Sequence, residues 1–230
     1  MTSRYIGDLT HVEHLLVVEG DPDKVAVFVE RARRAGLPLS LEALIPPPEE
    51  LAEIDALMVA HFHLVFGDQA EARILYDEID EPWLLPEVDE ASAALRELLR
   101  TDPTLMKNAR VVQKNVQKFG ALDAGAWKSA RWGSAADLRD VVFEQISDDR
   151  VHYRFDAPVS RHMALQDIAG KHPDLSIGAI VTNFGARKQQ WFYRFFGTQD
   201  LKAVEQRFPA DEDVVELFID NPPELFAYAG

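Results

Sequence analysis

The chain has 230 residues, 47% of them hydrophobic and 27% charged, which suffices for a substantial core in one large or two small domains. No apolar run approaches the roughly 18 residues that span a bilayer. Residues 1–14 carry no apolar signal core, and the lack of cysteine removes disulfides, thiolate metal sites and cysteine nucleophiles. The expected setting is therefore the cytoplasm, away from membranes. A formal net charge of -15 disfavours general nucleic-acid binding, because phosphate contacts supply most non-specific affinity.

The first element is His14-Leu15-Leu16-Val17-Val18-Glu19, apolar without a break, as in a central strand covered on both faces. Asp21-Pro22 then opens a helix as N-cap and first residue. Val25, Phe28, Val29 and Ala32 form its buried line, and Gly36 is its expected end. Leu39, Leu41, Ala43 and Ile45 alternate with Ser40, Glu42 and Leu44, a pattern that predicts a second strand over 39–45.

Pro46-Pro47-Pro48 closes this unit, and the next seventy or so residues read as helical. Leu51, Ile54, Met58, Phe62 and Val65 make one stripe. Further helices are expected over Gln69–Glu78, over 89–100, and from Pro103 to Gly120 with Leu105, Ala109, Val112, Val116 and Phe119 buried. Residues 48–100 hold 14 acidic and 3 basic side chains, whereas 101–133 hold 2 acidic and 6 basic.

Beyond about 140 the period returns to two. Val141–Ile146 and Val151–Phe155 flank the polar turn Ser147-Asp148-Asp149-Arg150, a hairpin. A helix from Ala157-Pro158 to about Lys171 follows, then strands at Leu175–Val181 and Trp191–Phe196. A short helix near 199–207 and a strand at 214–219 complete the expected elements. With the helical stretch set aside, the order is that of two split βαβ halves. The predicted class is α+β, a ferredoxin-like antiparallel sheet with helices on one face, interrupted by an all-helical insertion. The expected division is 1–47 with 121–230 for the sheet unit and 48–120 for the insertion.

The segments Trp132-Gly133-Ser134 with Asp137, Val151–Phe155, Ala157-Pro158 and Ile168-Ala169-Gly170-Lys171-His172-Pro173-Asp174-Leu175 resemble the YubB ferredoxin-like proteins of plasmids and phages. The first half agrees through a strand ending in Gly20 and through Leu44-Ile45-Pro46-Pro47-Pro48, similar to that family's proline-ended strand. The resemblance covers roughly 12–48 and 127–197 and departs at Ser134-Ala135-Ala136, where the family usually has Lys-Trp after its Trp-Gly-Thr. It implies the ferredoxin-like plan and no assigned activity.

No nucleophile elbow, phosphate loop or dinucleotide fingerprint is present, so no catalytic residue and no cofactor are expected. His11 with His14 and His61 with His63 lack a third ligand at motif spacing, and no metal site is expected. His152 and His162 read as ordinary surface or half-buried residues. The acid-rich stretch 77–90 lacks the spacing of a calcium loop and reads as solvated surface.

Two features suit an interaction surface. Lys107, Arg110, Lys114 and Lys118 fall on one face of the helix over 103–120, opposite its buried line. Trp132, Trp191 and Tyr193 cluster with the basic turn Arg187-Lys188, although such aromatics more often fill cores, and that reading is the stronger of the two. The basic face is expected to pair chiefly with the acidic helices of 48–100. The expected role is a non-catalytic binding or accessory protein that acts through its acidic insertion, with a basic protein as the favoured partner. Nucleic-acid association through Arg110, Lys114, Lys118 and the Arg187-Lys188 turn is the alternative.

Overall fold

The computed structural model describes residues 12–85, 91–157, 161–183 and 189–195; Ala91, Ser92, His162, Asn183 and 189–195 are described as backbone. The N-terminal eleven residues, the Arg187-Lys188 turn, and the helix and strand expected near 199–207 and 214–219 lie outside them. The chain divides into two units: residues 1–46 with 131–230, and residues 47–130. These boundaries compare with expected ones at 47/48 and 120/121.

The first unit is built on five strands: β1 (Val12–Gly20), β2 (Arg139–Ser147), β3 (Arg150–Ala157), β4 (Leu175–Asn183) and β5 (Gln189–Phe195). Their order is β2-β3-β1-β4-β5, and every neighbouring pair is antiparallel. Helix α1 (Pro22–Ala32) follows β1, and helix α9 (His162–Lys171) joins β3 to β4. This is the ferredoxin-like plan, with β5 added beyond β4. β1 lies between β3 and β4, which explains its unbroken apolar run: Leu15, Leu16, Val17 and Val18 are all buried although they alternate between faces.

Cross-strand register places His14, Leu16 and Val18 on one face with Phe155, Tyr153 and Val151 and with Val181, Ala179 and Ile177. Helix α1 packs here, with Phe28 edge-on to Tyr153 at 6.3 Å. The start of α9 lies here too, since the Arg161 N–H donates to His14 Nε2 at 3.0 Å. That bond makes Nε2 the acceptor, so the ring proton sits on Nδ1 and is donated to the Val12 carbonyl at 3.0 Å. Leu15, Val17, His152, Ile180 and Thr182, on the second face, are also buried.

Helix α1 begins as its sequence dictates, with the Asp21 carboxylate accepting from the Asp23 and Lys24 N–H groups and Pro22 in the first turn. It ends at Ala32, four residues short of Gly36. Ala35 and Gly36, with φ of 51° and 83°, form instead a tight turn closed by paired Arg34 and Leu37 backbone bonds.

The expected strand at 39–45 is absent. Residues Leu41–Leu44 form a helical turn, α2. Ser40 Oγ accepts the Ala43 N–H, and the distant Asp137 carboxylate accepts from Leu41 N at 2.8 Å and Glu42 N at 3.4 Å. A cap supplied from 96 residues away satisfies the first turn's donors and overrides the alternating pattern. The strand that completes the first crossover is β2, and the insertion lies inside that crossover.

The second unit contains α3 (Glu49–Ala52), α4 (Ala56–Phe66), α5 (Gln69–Glu78), α6 (Ala91–Thr101), α7 (Pro103–Phe119) and the start of α8 (Ala124–Trp132). The stripe expected as one helix from Leu51 to Val65 is broken at 53–55. There Asp55 caps α4, its carboxylate accepting the Met58 N–H at 2.8 Å. Helix α4 packs against both α5 and α7. Ala60, Leu64, Ala72, Tyr76, Leu85 and Leu105 form the core of this unit. Among the described residues no helix is long and apolar enough to cross a membrane.

Candidate interaction surfaces

Helix α7 turns Leu105, Ala109, Val112 and Asn115 inward, which sends Lys107, Arg110, Lys114 and Lys118 to solvent, and all four are exposed. Lys118 pairs with Glu50 at 2.7 Å, and that ammonium holds the Glu50 carboxyl below its usual range. Asn115 donates to the Glu50 carbonyl at 3.1 Å, so α7 is stitched to α3 at one point. Among the described residues Lys107, Arg110 and Lys114 make no ion pair. The expected internal neutralisation is thus a direct ion pair at Lys118, with Lys114 adding a weaker pull on the same Glu50 carboxylate. Val111, 39% exposed, stands among these three cations.

Helix α5 shows the opposite sign. Its buried side is Ala72 and Tyr76. Ile74 lies two residues from each, about 200° around the helix, and is 51% exposed. Glu71 precedes it by three residues, and Asp77 and Glu78 follow it by three and four. These are the positions that surround a side chain on a helix surface. All three carboxylates are exposed. Sequence reading recovered this helix but passed over Ile74; its place opposite the Ala72–Tyr76 line is the signal that identifies it.

Trp132 does not belong to a surface. It is fully buried, donating its indole N–H to the Ile45 carbonyl at 3.2 Å. Its own carbonyl accepts from Arg161 Nη1 at 2.6 Å. The guanidinium is itself buried, and burial lowers its pKa against the opposing field of Asp137. A large ring whose single polar atom meets a backbone acceptor is core material. Trp191 and Tyr193 sit in register opposite Val181 and Ala179 on β4. Arg187 and Lys188 lie outside the described residues.

The histidines are structural in setting. His152, expected at or near the surface, is buried at the centre of the sheet's second face. Burial, aided by Arg150, lowers its pKa. His61 is buried in the helical unit, where Asn108 Nδ2 donates to its Nδ1 at 3.1 Å. His172 borders a cleft of about 300 Å³ beside Lys24, Arg31, Lys171 and Asp174. Burial, then Arg31 and Lys171, lower its pKa. Lys24 is held there by Asp174 at 3.2 Å, and Lys171 donates to the Leu44 carbonyl at 3.0 Å. Among the described residues no three acidic or histidine side chains gather as metal ligands would.

No family model matches the chain, and no curated protein matches it. A solved structure with some likeness is that of a protein, api92, from Yersinia pseudotuberculosis, assigned to the family model DUF1281. It is 9% identical, with 88% of this chain and 99% of that one covered, at a TM-score of 0.43.

Proposed function

We propose that the protein is a non-catalytic binding or accessory protein that takes a basic partner on the acidic side of its helical insertion. The observation that carries this reading is Ile74, half exposed, with Glu71 one turn before it and Asp77 and Glu78 one turn after it, against one neighbouring cation, Arg73. An apolar side chain with carboxylates one turn above and one turn below it matches a partner helix that presents a leucine-like residue between lysines or arginines. Covering the exposed part of Ile74 is worth about 1 kcal/mol. The surrounding charge, 14 acids against 3 bases over 48–100, draws a cationic partner in and screens with salt.

The test is titration of the protein with a basic amphipathic helical peptide. Saturable binding that weakens with salt and drops about tenfold in Ile74→Ser supports the reading. Absence of binding at low salt, or turnover of a hydrolase substrate panel by the purified protein, overturns it.

A second reading is nucleic-acid association through α7, favoured by the lack of any ion pair for Lys107, Arg110 and Lys114 among the described residues. Three phosphate contacts would give a log–log salt slope of roughly -3 on duplex DNA. A flat slope or no binding removes it. Kinship with the YubB ferredoxin-like proteins is part of the same proposal. It is supported by the shared split-βαβ order and by the Trp132-Gly133 segment, where Gly133 takes a φ of 79° directly after the buried tryptophan.

A further inference from the structure

We infer that the partner surface for α5 is α7 of a second copy of this chain. The inference rests on the proposed acidic docking surface and names what occupies it. Each helix presents one exposed apolar residue, Ile74 or Val111. Around Ile74 stand Glu71, Asp77 and Glu78 with Arg73 beside it, a net negative set; around Val111 stand Lys107, Arg110 and Lys114. All seven charged groups are exposed, and among the described residues none is in an ion pair.

The spacings match. With α5 and α7 parallel and Ile74 against Val111, Glu71 lies three residues, about 4.5 Å, to one side, within one residue of the level of Lys107 and on the same flank of the contact. Glu78 lies four residues, about 6 Å, to the other side, on that flank and within one residue of the level of Lys114. Asp77 and Arg73, four residues apart on α5, fall on the opposite flank. An antiparallel approach would set Glu71 and Glu78 on the flank away from Lys107 and Lys114, so the parallel approach is the favourable one.

Within one chain α5 and α7 both pack on α4 and turn these ridges to solvent. Like ridges repel: α5 on α5 would set six carboxylates against only two arginines, and α7 on α7 would set six cations together, so the mixed contact is the favourable one. The contact is heterologous, and two copies that exchange it about a twofold axis close as a dimer. One ridge on another is a small interface by the standard of stable complexes. Association therefore belongs in the upper micromolar range and depends on low salt.

The experiment is light scattering or sedimentation of the full chain, from micromolar to millimolar concentration. The mean mass should rise toward twofold or more at low salt. It should return to that of the monomer in about 1 M salt, where the screening length is ~3 Å. Lys107→Glu/Lys114→Glu and Glu71→Lys/Glu78→Lys, each folded by circular dichroism, should stay monomeric alone and associate when mixed, since each keeps the ridge the other lacks. A monomeric wild type at millimolar concentration, or reversed variants that associate as the wild type does, overturns the inference. If self-association fails while the basic peptide still binds in an Ile74-dependent way, only the identity of the partner falls. If both fail, the docking surface falls with it.

Discussion

Ser40 donates its hydroxyl to the carboxylate of Asp137 at 2.6 Å, across 97 residues of chain. The two residues belong to the segments that leave and re-enter the sheet unit, so one carboxylate ties the ends of the insertion together. It also accepts the N–H groups of Leu41 and Glu42, and that of Leu138 at 2.7 Å. Asp137→Ala leaves the first turn of α2 uncapped and is expected to cost about 2–3 kcal/mol. Asp137→Asn, which keeps one acceptor oxygen, should cost less. Urea denaturation of the three proteins checks the order.

Trp132 provides the second tie, through Ile45 and Arg161. Trp132→Phe keeps most of the apolar volume and removes the donor to the Ile45 carbonyl, an expected loss of about 1–3 kcal/mol. Trp132→Ala adds a cavity and should cost about 3–5 kcal/mol. Equal losses in the two variants would show that ring volume is irrelevant at this site. Thermal unfolding monitored by circular dichroism separates these outcomes.

His61, His152 and His172 share one direction of shift: burial lowers each below the ordinary value of 6.5. On acidification the unfolded chain takes up their protons first. The stability that comes from keeping them neutral is fully present above the unfolded value and is lost as pH falls through and below it. Each proton contributes a slope of at most about 1.4 kcal/mol per pH unit. Unfolding midpoints should therefore drop between about pH 7.5 and 5.5. His61→Gln, whose amide oxygen can still accept from Asn108, should flatten that dependence, and an unchanged slope would exclude His61 as a source.

Ala35 occupies the left-handed region with φ of 51°, beside Gly36 at 83°. An alanine there costs about 1 kcal/mol, and two adjacent positive φ values are those of the asparagine–glycine turn. Ala35→Asn is expected to stabilise by roughly 0.5–1 kcal/mol, seen as a rise of about 1–4 °C in Tm. A fall in Tm would show that the turn is held by something other than its backbone preference.

Much of the fold was legible in the chain. Asp21-Pro22 and Asp102-Pro103 set helix starts through side-chain caps within three residues. The alternating pattern of 141–155 set a hairpin, and the unbroken apolar run of β1 set a central strand. Of the candidate surface, the spacing of Lys107, Arg110, Lys114 and Lys118 already placed them on one exposed helix face. Whether each cation was neutralised was not legible, because ion pairs join residues far apart in sequence, such as Glu50 and Lys118.

By itself, the sequence determined which segments carry a period and where short-range caps begin them, since those signals act within one or two turns. Only the tertiary structure decided the fate of residues 39–45, where an alternating pattern yielded to a cap from Asp137. It alone gave Trp132 its partners, the Ile45 carbonyl and the Arg161 guanidinium. Those outcomes depend on which partner arrives from elsewhere in the chain. The free energy of a satisfied buried donor, about 1–3 kcal/mol, exceeds the few tenths by which one residue prefers strand to helix.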